Sequence, residues 1–360
     1  MTTRLNRVRE LLGTQSLDAM LVTNATNRRY LSGYTAEDHA PDESSGVVVV
    51  DSGSATLYTS PINAGWAEAE ATEGVTVAHC QRQWTATIAE VILANGWKRI
   101  GFEEGVTTVA DYFHLRDTLG DAAELIPVGD AIDRLRAIKD DTEIALLAKA
   151  LQLTDQAFVA AAARLEAGQT EYELAEIIRE ELKKVGSEGE AFPTIVASGP
   201  NAANPHHNPS DRQIQPGEPV IIDMGARHQG YNGDLTRTIW VGEPEPKLIE
   251  VYQLVQKAQD AALAGFKPGE TGKQADAYCR DIFASAGMDE YYIHSTGHGL
   301  GLRVHEAPSA SKLAEGVLQP GEVITVEPGL YIPGWSGVRI EDVVLITANG
   351  NRNLTGAPKN

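Results

Sequence analysis

The chain lacks most of what an exported or membrane-bound protein needs. It has only two cysteines, Cys80 and Cys279, far apart and in no motif spacing, so no disulfide framework is expected and both read as ordinary buried thiols of a reducing compartment. No run approaches the ~18 apolar residues of a membrane span, and the opening Met1-Thr2-Thr3-Arg4-Leu5-Asn6-Arg7 has no apolar centre of a secretory signal. The expectation is a cytoplasmic chain without a membrane partner. Positive charge is also scarce: 30 Lys and Arg stand against 50 Asp and Glu, a formal charge of −20. That balance excludes nucleic acid and anionic membranes as partners.

A length of 360 residues suggests two domains. In the first half, strand-like runs at Asp18–Thr23, Gly46–Asp51, Ala55–Thr59, Val75–Ala78 and Arg99–Phe102 are separated by helical patterns. The helical stretches are Arg4–Thr14, Ala64–Ala71, Ala86–Asn95 and Val109–Leu119. This alternation predicts an α/β layer with a mixed sheet, without a Gly-rich phosphate loop. Asp38, His39, Asp42 and Glu43 read as a solvated polar loop. A boundary is expected between Asp133 and Thr142, giving domains 1–133 and 134–360. There Asp140 or Asp141 can cap a new helix.

The second half is organised around Val220 to Thr238, where a β-branched run ending in Asp223 meets Gly225 and Gly230 and then the Thr-rich run after Asp234. The pattern predicts a hairpin. A turn centred between His228 and Gln229 would set Asp223 directly opposite Asp234, with Cβ atoms ~5 Å apart. Two unpaired carboxylates that close repel each other, and a cation between them is the economical explanation. Further candidate ligands follow in Thr296-Gly297-His298-Gly299, Val326-Glu327-Pro328-Gly329 and Arg339-Ile340-Glu341-Asp342. Any one of these residues alone reads as a turn cap, loop histidine, strand end or structural ion pair. The ordered set of four carboxylates and one imidazole instead suits two divalent ions. Manganese, cobalt, iron and zinc would all fit such donors, with manganese or cobalt expected.

This order of motifs resembles the pita-bread metallopeptidases, the family of Xaa-Pro dipeptidases (prolidases), aminopeptidase P, methionine aminopeptidase and creatinase. Asn27-Arg28-Arg29-Tyr30-Leu31-Ser32-Gly33 resembles a segment of the family's N-terminal domains, and Ile138-Lys139 followed by Glu143-Ile144 the entry to its catalytic domain. The resemblance implies an α/β (α+β) fold: a creatinase-like N-terminal domain, then a pita-bread domain with a curved, mostly antiparallel sheet flanked by helices. It further implies that Asp223 binds one metal, that Asp234 and Glu341 bridge two, and that His298 and Glu327 bind the other. Glu327 would also carry the water proton. His305, seven residues after His298, and His206 would face the scissile carbonyl, while His207 reads as a surface residue. Tyr331 and Arg339 are candidates for the substrate pocket or for orienting the ligands.

The function so implied is hydrolysis of Xaa-Pro bonds in small peptides by a metal-bridging hydroxide, by a homodimer. A dipeptidase is the first expectation and an aminopeptidase P acting on longer peptides the second. A reading from another class is a non-catalytic binding protein on the same fold, and the complete ligand set speaks against it.

Overall fold

Alternating apolar runs and helical patterns in the first half fold into one mixed sheet, as expected. The computed structural model describes residues 4–40, 43–80 and 83–359. Its two units divide after Arg136. In the first, strands β1 (Ala19–Val22), β2 (Val47–Asp51), β3 (Ala55–Thr59), β4 (Thr76–His79), β5 (Arg99–Phe102) and β6 (Glu124–Pro127) lie in the order β4-β3-β2-β1-β5-β6. β1 and β3 pair antiparallel with β2, and the remaining pairings are parallel. Helices α1 (Arg4–Gln15), α2 (Ala25–Ser32), α3 (Ala64–Glu70), α4 (Trp84–Asn95), α5 (Val109–Leu119) and α6 (Ala131–Ala137) complete the order of elements. Val47, Val49, Ile88, Ile92, Ile100 and Leu115 form a shared core.

The Asn27–Gly33 segment is the end of a capped helix: Asn24 accepts from the N–H groups of Thr26 and Asn27, and Gly33, at φ 80°, stops it. Asp38 is not simply solvated, because it pairs with the buried Arg28 at 2.8 Å. Asp42 lies outside the described residues. The division after Arg136 falls within the stretch from Asp133 to Thr142, near the end of α6.

Local capping chemistry fixes where the helices of the second unit begin. α7 (Asp141–Ala162), α8 (Glu171–Lys184) and α10 (Gly272–Ser285) each start with a capping box, formed by Asp140 and Glu143, Thr170 and Glu173, and Thr271 and Gln274. α9 (Pro246–Gly265) starts on a proline, which has no N–H to leave unpaired. By length and composition α7 is apolar enough to cross a bilayer. Its apolar face, however, is buried inside the unit through Leu147, Leu151 and Phe158.

The strands of this unit all pair antiparallel among the described residues. β7 (Ile195–Ser198) and β11 (Leu235–Ile239) flank β8 (Val220–Met224), and β9 (Arg227–His228) pairs with β10 (Tyr231–Asn232). A five-stranded sheet runs β13 (Glu306–Ala310), β12 (Gly297–Gly299), β14 (Val323–Val326), β17 (Asp342–Thr347) and β18 (Gly350–Asn353). β15 (Gly329–Ile332) and β16 (Ser336–Arg339) form a separate hairpin. α7 and α8 pack through Phe158, Leu174 and Ile178 on Val196, Ile222 and Leu235. α9 and α10 pack through Val255, Ala262 and Phe283 on Ile324, Val338 and Val344. The helices thus cover apolar strand faces, and polar side chains are left to gather on the other face.

Candidate active site

The aspartate hairpin forms with a register shifted by two residues from the expected one. Asp223 faces Thr236, and the turn centres between Gln229 and Gly230, which have φ 47° and 79°. Two successive positive φ values make a type I′ turn, the form whose twist suits a hairpin. The carboxylate of Glu188 holds it, accepting from the N–H of Gln229 at 2.7 Å and of Gly230 at 3.1 Å. Asp223 and Asp234 are therefore not directly opposed. Asp234 lies two residues from Thr236 on the same strand face, diagonal to Asp223. The strands meet so closely here that a Cβ at Gly225 would run into the Gly233 carbonyl.

The other three donors converge on the same place. His298 sits between two glycines because a Cβ at Gly297 would collide with the Thr325 carbonyl and one at Gly299 with the Ala307 carbonyl. Its Nδ1 lies 3.1 Å from the Gly299 carbonyl oxygen, so Nδ1 carries the proton there and, in the neutral ring, Nε2 keeps its lone pair. That Nε2 is 3.2 Å from Glu327 Oε1 and 3.7 Å from Asp234 Oδ2. Glu327 follows β14, and Thr325 Oγ1 donates to its Oε1 at 3.2 Å. Glu341 joins β16 to β17, and Thr236 Oγ1 donates to its Oε2 at 2.8 Å. One donor atom each from Asp234, His298 and Glu341 lies within 4.8 Å of the others. All five side chains line one cavity of about 530 Å³.

Burial and crowding make this cluster electrostatically unfavourable as it stands. Burial, then the neighbouring carboxylates Glu341, Asp223 and Glu327, hold the Asp234 carboxyl well above the usual carboxylate range. Burial and the carboxylates of Glu327 and Asp223 do the same to Glu341. Burial also raises Asp223, although Arg339 opposes it. Burial acts against a charged His298, but its hydrogen bond with Glu327, the charges of Glu327 and Glu341 and the Gly299 carbonyl together outweigh that and raise it to about 9. At Glu327 burial acts upward, but that bond together with the charges of His298, His294 and Arg339 outweighs it and pulls the group down to about 2. Asp223 Oδ1 and Glu341 Oε1 are buried without a hydrogen-bond partner. Such atoms are costly unless something pairs with them. An oxygen-rich set with one imidazole and two orphaned carboxylate oxygens fits divalent cations.

The remaining predicted residues line the same cavity. The His305 ring lies edge-on to His298, with centroids 4.4 Å apart, and burial followed by the charge on His298 lowers its pKa. His206 is exposed on an irregular loop at the cavity wall. Arg339 Nη2 donates to Asp223 Oδ2 at 2.7 Å, its Nη1 to the Tyr331 hydroxyl at 2.7 Å, and its Nε to Thr236 Oγ1 at 3.0 Å. Arg339 thus pairs with Asp223 and not with the neighbouring Glu341. Burial pushes Tyr331 up to about 12, so it stays a neutral phenol.

Sequence reasoning passed over three contributors. His294 Nε2 lies 2.9 Å from the Tyr331 hydroxyl, and burial lowers its pKa. Its place four residues before His298 was the available signal. Arg237 is buried and donates to the Glu341 carbonyl and, at 2.8 Å, to Asp342, which fixes the backbone that presents Glu341. Nothing local marked it. His207, expected at the surface, is bonded at 2.8 Å to the buried Glu171.

Known proteins share this succession of domains along the chain. Residues 145–348 match metallopeptidase family M24, and residues 4–138 match the Creatinase/Prolidase N-terminal domain. An Xaa-Pro dipeptidase of Pyrococcus horikoshii is 38% identical over 355 residues, 99% of this chain and 97% of that protein. Among solved structures, an Xaa-Pro dipeptidase from Bacillus anthracis superimposes with a TM-score of 0.93 at 37% identity, covering 99% of this chain and 98% of the other. An X-Pro aminopeptidase from Thermotoga maritima gives a TM-score of 0.89 at 31% identity, covering 99% of each chain. With its buried acidic cluster and the His298 imidazole inside the matched region, the chain belongs to metallopeptidase family M24, whose members use divalent metal ions.

Proposed function

We propose that this chain is a dinuclear Xaa-Pro dipeptidase, with Asp223, Asp234, His298, Glu327 and Glu341 holding two divalent ions, manganese or cobalt in the first instance. The observation that carries the reading is the pair of orphaned, buried carboxylate oxygens on Asp223 and Glu341 inside a cavity that already crowds four acids. A complete donor set of this kind has no use in a binding protein that only borrows the fold. When bound, the ions supply Lewis acidity and lower the pKa of water.

The chain's own residues do the rest. Glu327, ionised at neutral pH, is the group to take a proton from the attacking water and deliver it to the leaving nitrogen. His305 and His206 reach the cavity from two different loops and donate toward the carbonyl oxygen as charge builds on it. Arg339 holds Asp223 and Tyr331 in place, and His294 steadies the Tyr331 hydroxyl from the other side. Proline offers no N–H, so its ring must be chosen by shape and apolar contact. Phe192, Ile195, Ile293 and Val304 supply such a wall in the same cavity.

Cleavage of an Xaa-Pro dipeptide, compared with Xaa-Pro-Yaa, Xaa-Ala and Met-Yaa peptides, tests this directly. Hydrolysis is expected only where proline is second, and faster for the dipeptide. Rapid Met-Yaa cleavage would sink the specificity, whereas preference for Xaa-Pro-Yaa would favour an aminopeptidase, the activity named for the Thermotoga neighbour. Metal analysis after reconstitution should find close to two ions per chain, and less than about one would count against the enzyme. The reading extends to a cytoplasmic homodimer, in keeping with two buried free thiols, and light scattering would test the dimer.

A further inference from the structure

The loop from Asn204 to Ser210 presents His206 to the cavity, yet it contains no helix or strand and His206 itself is exposed. An imidazole in that position has little packing of its own to fix it. The residues on either side are pinned instead. The Pro205 carbonyl accepts from Arg339 Nη1 at 3.3 Å, and His207 Nε2 sits 2.8 Å from Glu171 Oε2.

Glu171 opens α8 and its side chain is wholly buried. It accepts from the Ser198 N–H and hydroxyl, both at 2.7 Å, from Asn201 Nδ2 at 3.1 Å, and from the Ser210 N–H at 3.1 Å and hydroxyl at 2.6 Å. One carboxylate therefore ties both ends of segment 198–210, and His207 ties its middle. Burial alone would raise the Glu171 carboxyl, but the bonds from Ser210, His207 and Ser198 outweigh it and hold the group ionised. An ionised carboxylate only accepts, so His207 must donate from Nε2, in a charge-assisted bond. Glu171 and His207 are not among the cavity's lining residues, so any influence on turnover passes through the loop.

We infer that His207, anchored on Glu171, is a positioning residue that sets where His206 stands against the substrate. The inference rests on the catalytic reading of His206 given above.

Four variants of the full chain, reconstituted with Mn²⁺, test it: His207→Leu, His207→Gln, His206→Ala and the double variant His206→Ala with His207→Leu. His207→Leu should lower kcat about ten- to a hundredfold, the cost of a small misplacement, with KM, bound metal and melting temperature close to the parent. His207→Gln, which keeps a donor for Glu171, should recover most of the loss. In the His206→Ala background, His207→Leu should cost less than about twofold more, because its route is already cut. Without metal, hydrogen exchange of the 204–210 amides should rise in His207→Leu. Losses that multiply in the double variant, or exchange that does not change, would overturn the inference. If His206→Ala alone leaves kcat intact, the role given to His206 fails, and the exchange measurement still judges the anchor.

Discussion

Arg339 reaches Asp223 through a 2.7 Å contact between Nη2 and Oδ2, and its own backbone N–H is fixed by Thr238 Oγ1 at 3.1 Å. The guanidinium is buried and spans Asp223, Thr236 and Tyr331 at once. It offsets one of four crowded acids while leaving Asp223 Oδ1 without a hydrogen-bond partner. Replacing it by Met should weaken metal binding about 10–100-fold, the usual effect of losing a group that orients a ligand. Titration calorimetry with Mn²⁺ measures this. Unchanged affinity would show that Arg339 serves the substrate side alone.

The metal-free chain should lose stability as the pH rises through neutrality. His298, raised from 6.5 to about 9, contributes stability that is complete below pH 6.5 and is lost as the pH climbs through about 9. Asp234 and Glu341, also raised, act in the same direction, since each favours the fold while protonated. Glu327 is the opposite case. Its contribution is present above its ordinary value of 4.5 and is lost as the pH falls toward about 2. Thermal melts in EDTA should fall between pH 6.5 and 9. Melts with Mn²⁺ should stay level over that window, because bound ions take over the role of the protons. A rising EDTA curve would contradict the electrostatic account.

His305→Ala should retain full metal content and lose about 10²–10³ in kcat, the scale for removing one donor to a developing oxyanion. Parallel metal analysis and steady-state kinetics separate the two effects. Loss of metal along with activity would mean that His305 supports His298, whose ring it touches edge-on.

Gly225→Ala tests the close approach inside the aspartate hairpin. The new Cβ has no room beside the Gly233 carbonyl, so the strands must part. A loss of about 1–3 kcal/mol in urea unfolding is expected, with weaker metal uptake because Asp234 is displaced.

The donors were legible in the sequence because each sits in a short, chemically distinctive setting: aspartates around a turn, a histidine between glycines, glutamates at strand ends. The hairpin register was not. It depends on Glu188, a residue some forty positions upstream that grips the turn amides, and no rule for the turn's own residues includes it. His207 was misjudged for a similar reason. Its neighbours are Asn, Pro and His, which suggest solvent, while its partner Glu171 lies 36 positions upstream at the start of α8. Arg237 and Arg339 look alike in sequence. Only the packing shows that one secures the backbone presenting Glu341 and the other the side chain of Asp223.

Asp223 and Asp234 travel together on one hairpin, but His298, Glu327 and Glu341 arrive from three further segments. A peptide cut from the chain would carry at most the first two and would have little hold on an ion. Metal uptake therefore works as a gauge of assembly: a molecule that captures manganese has already folded its distant strands into register, and one that releases it under mild conditions has begun to come apart.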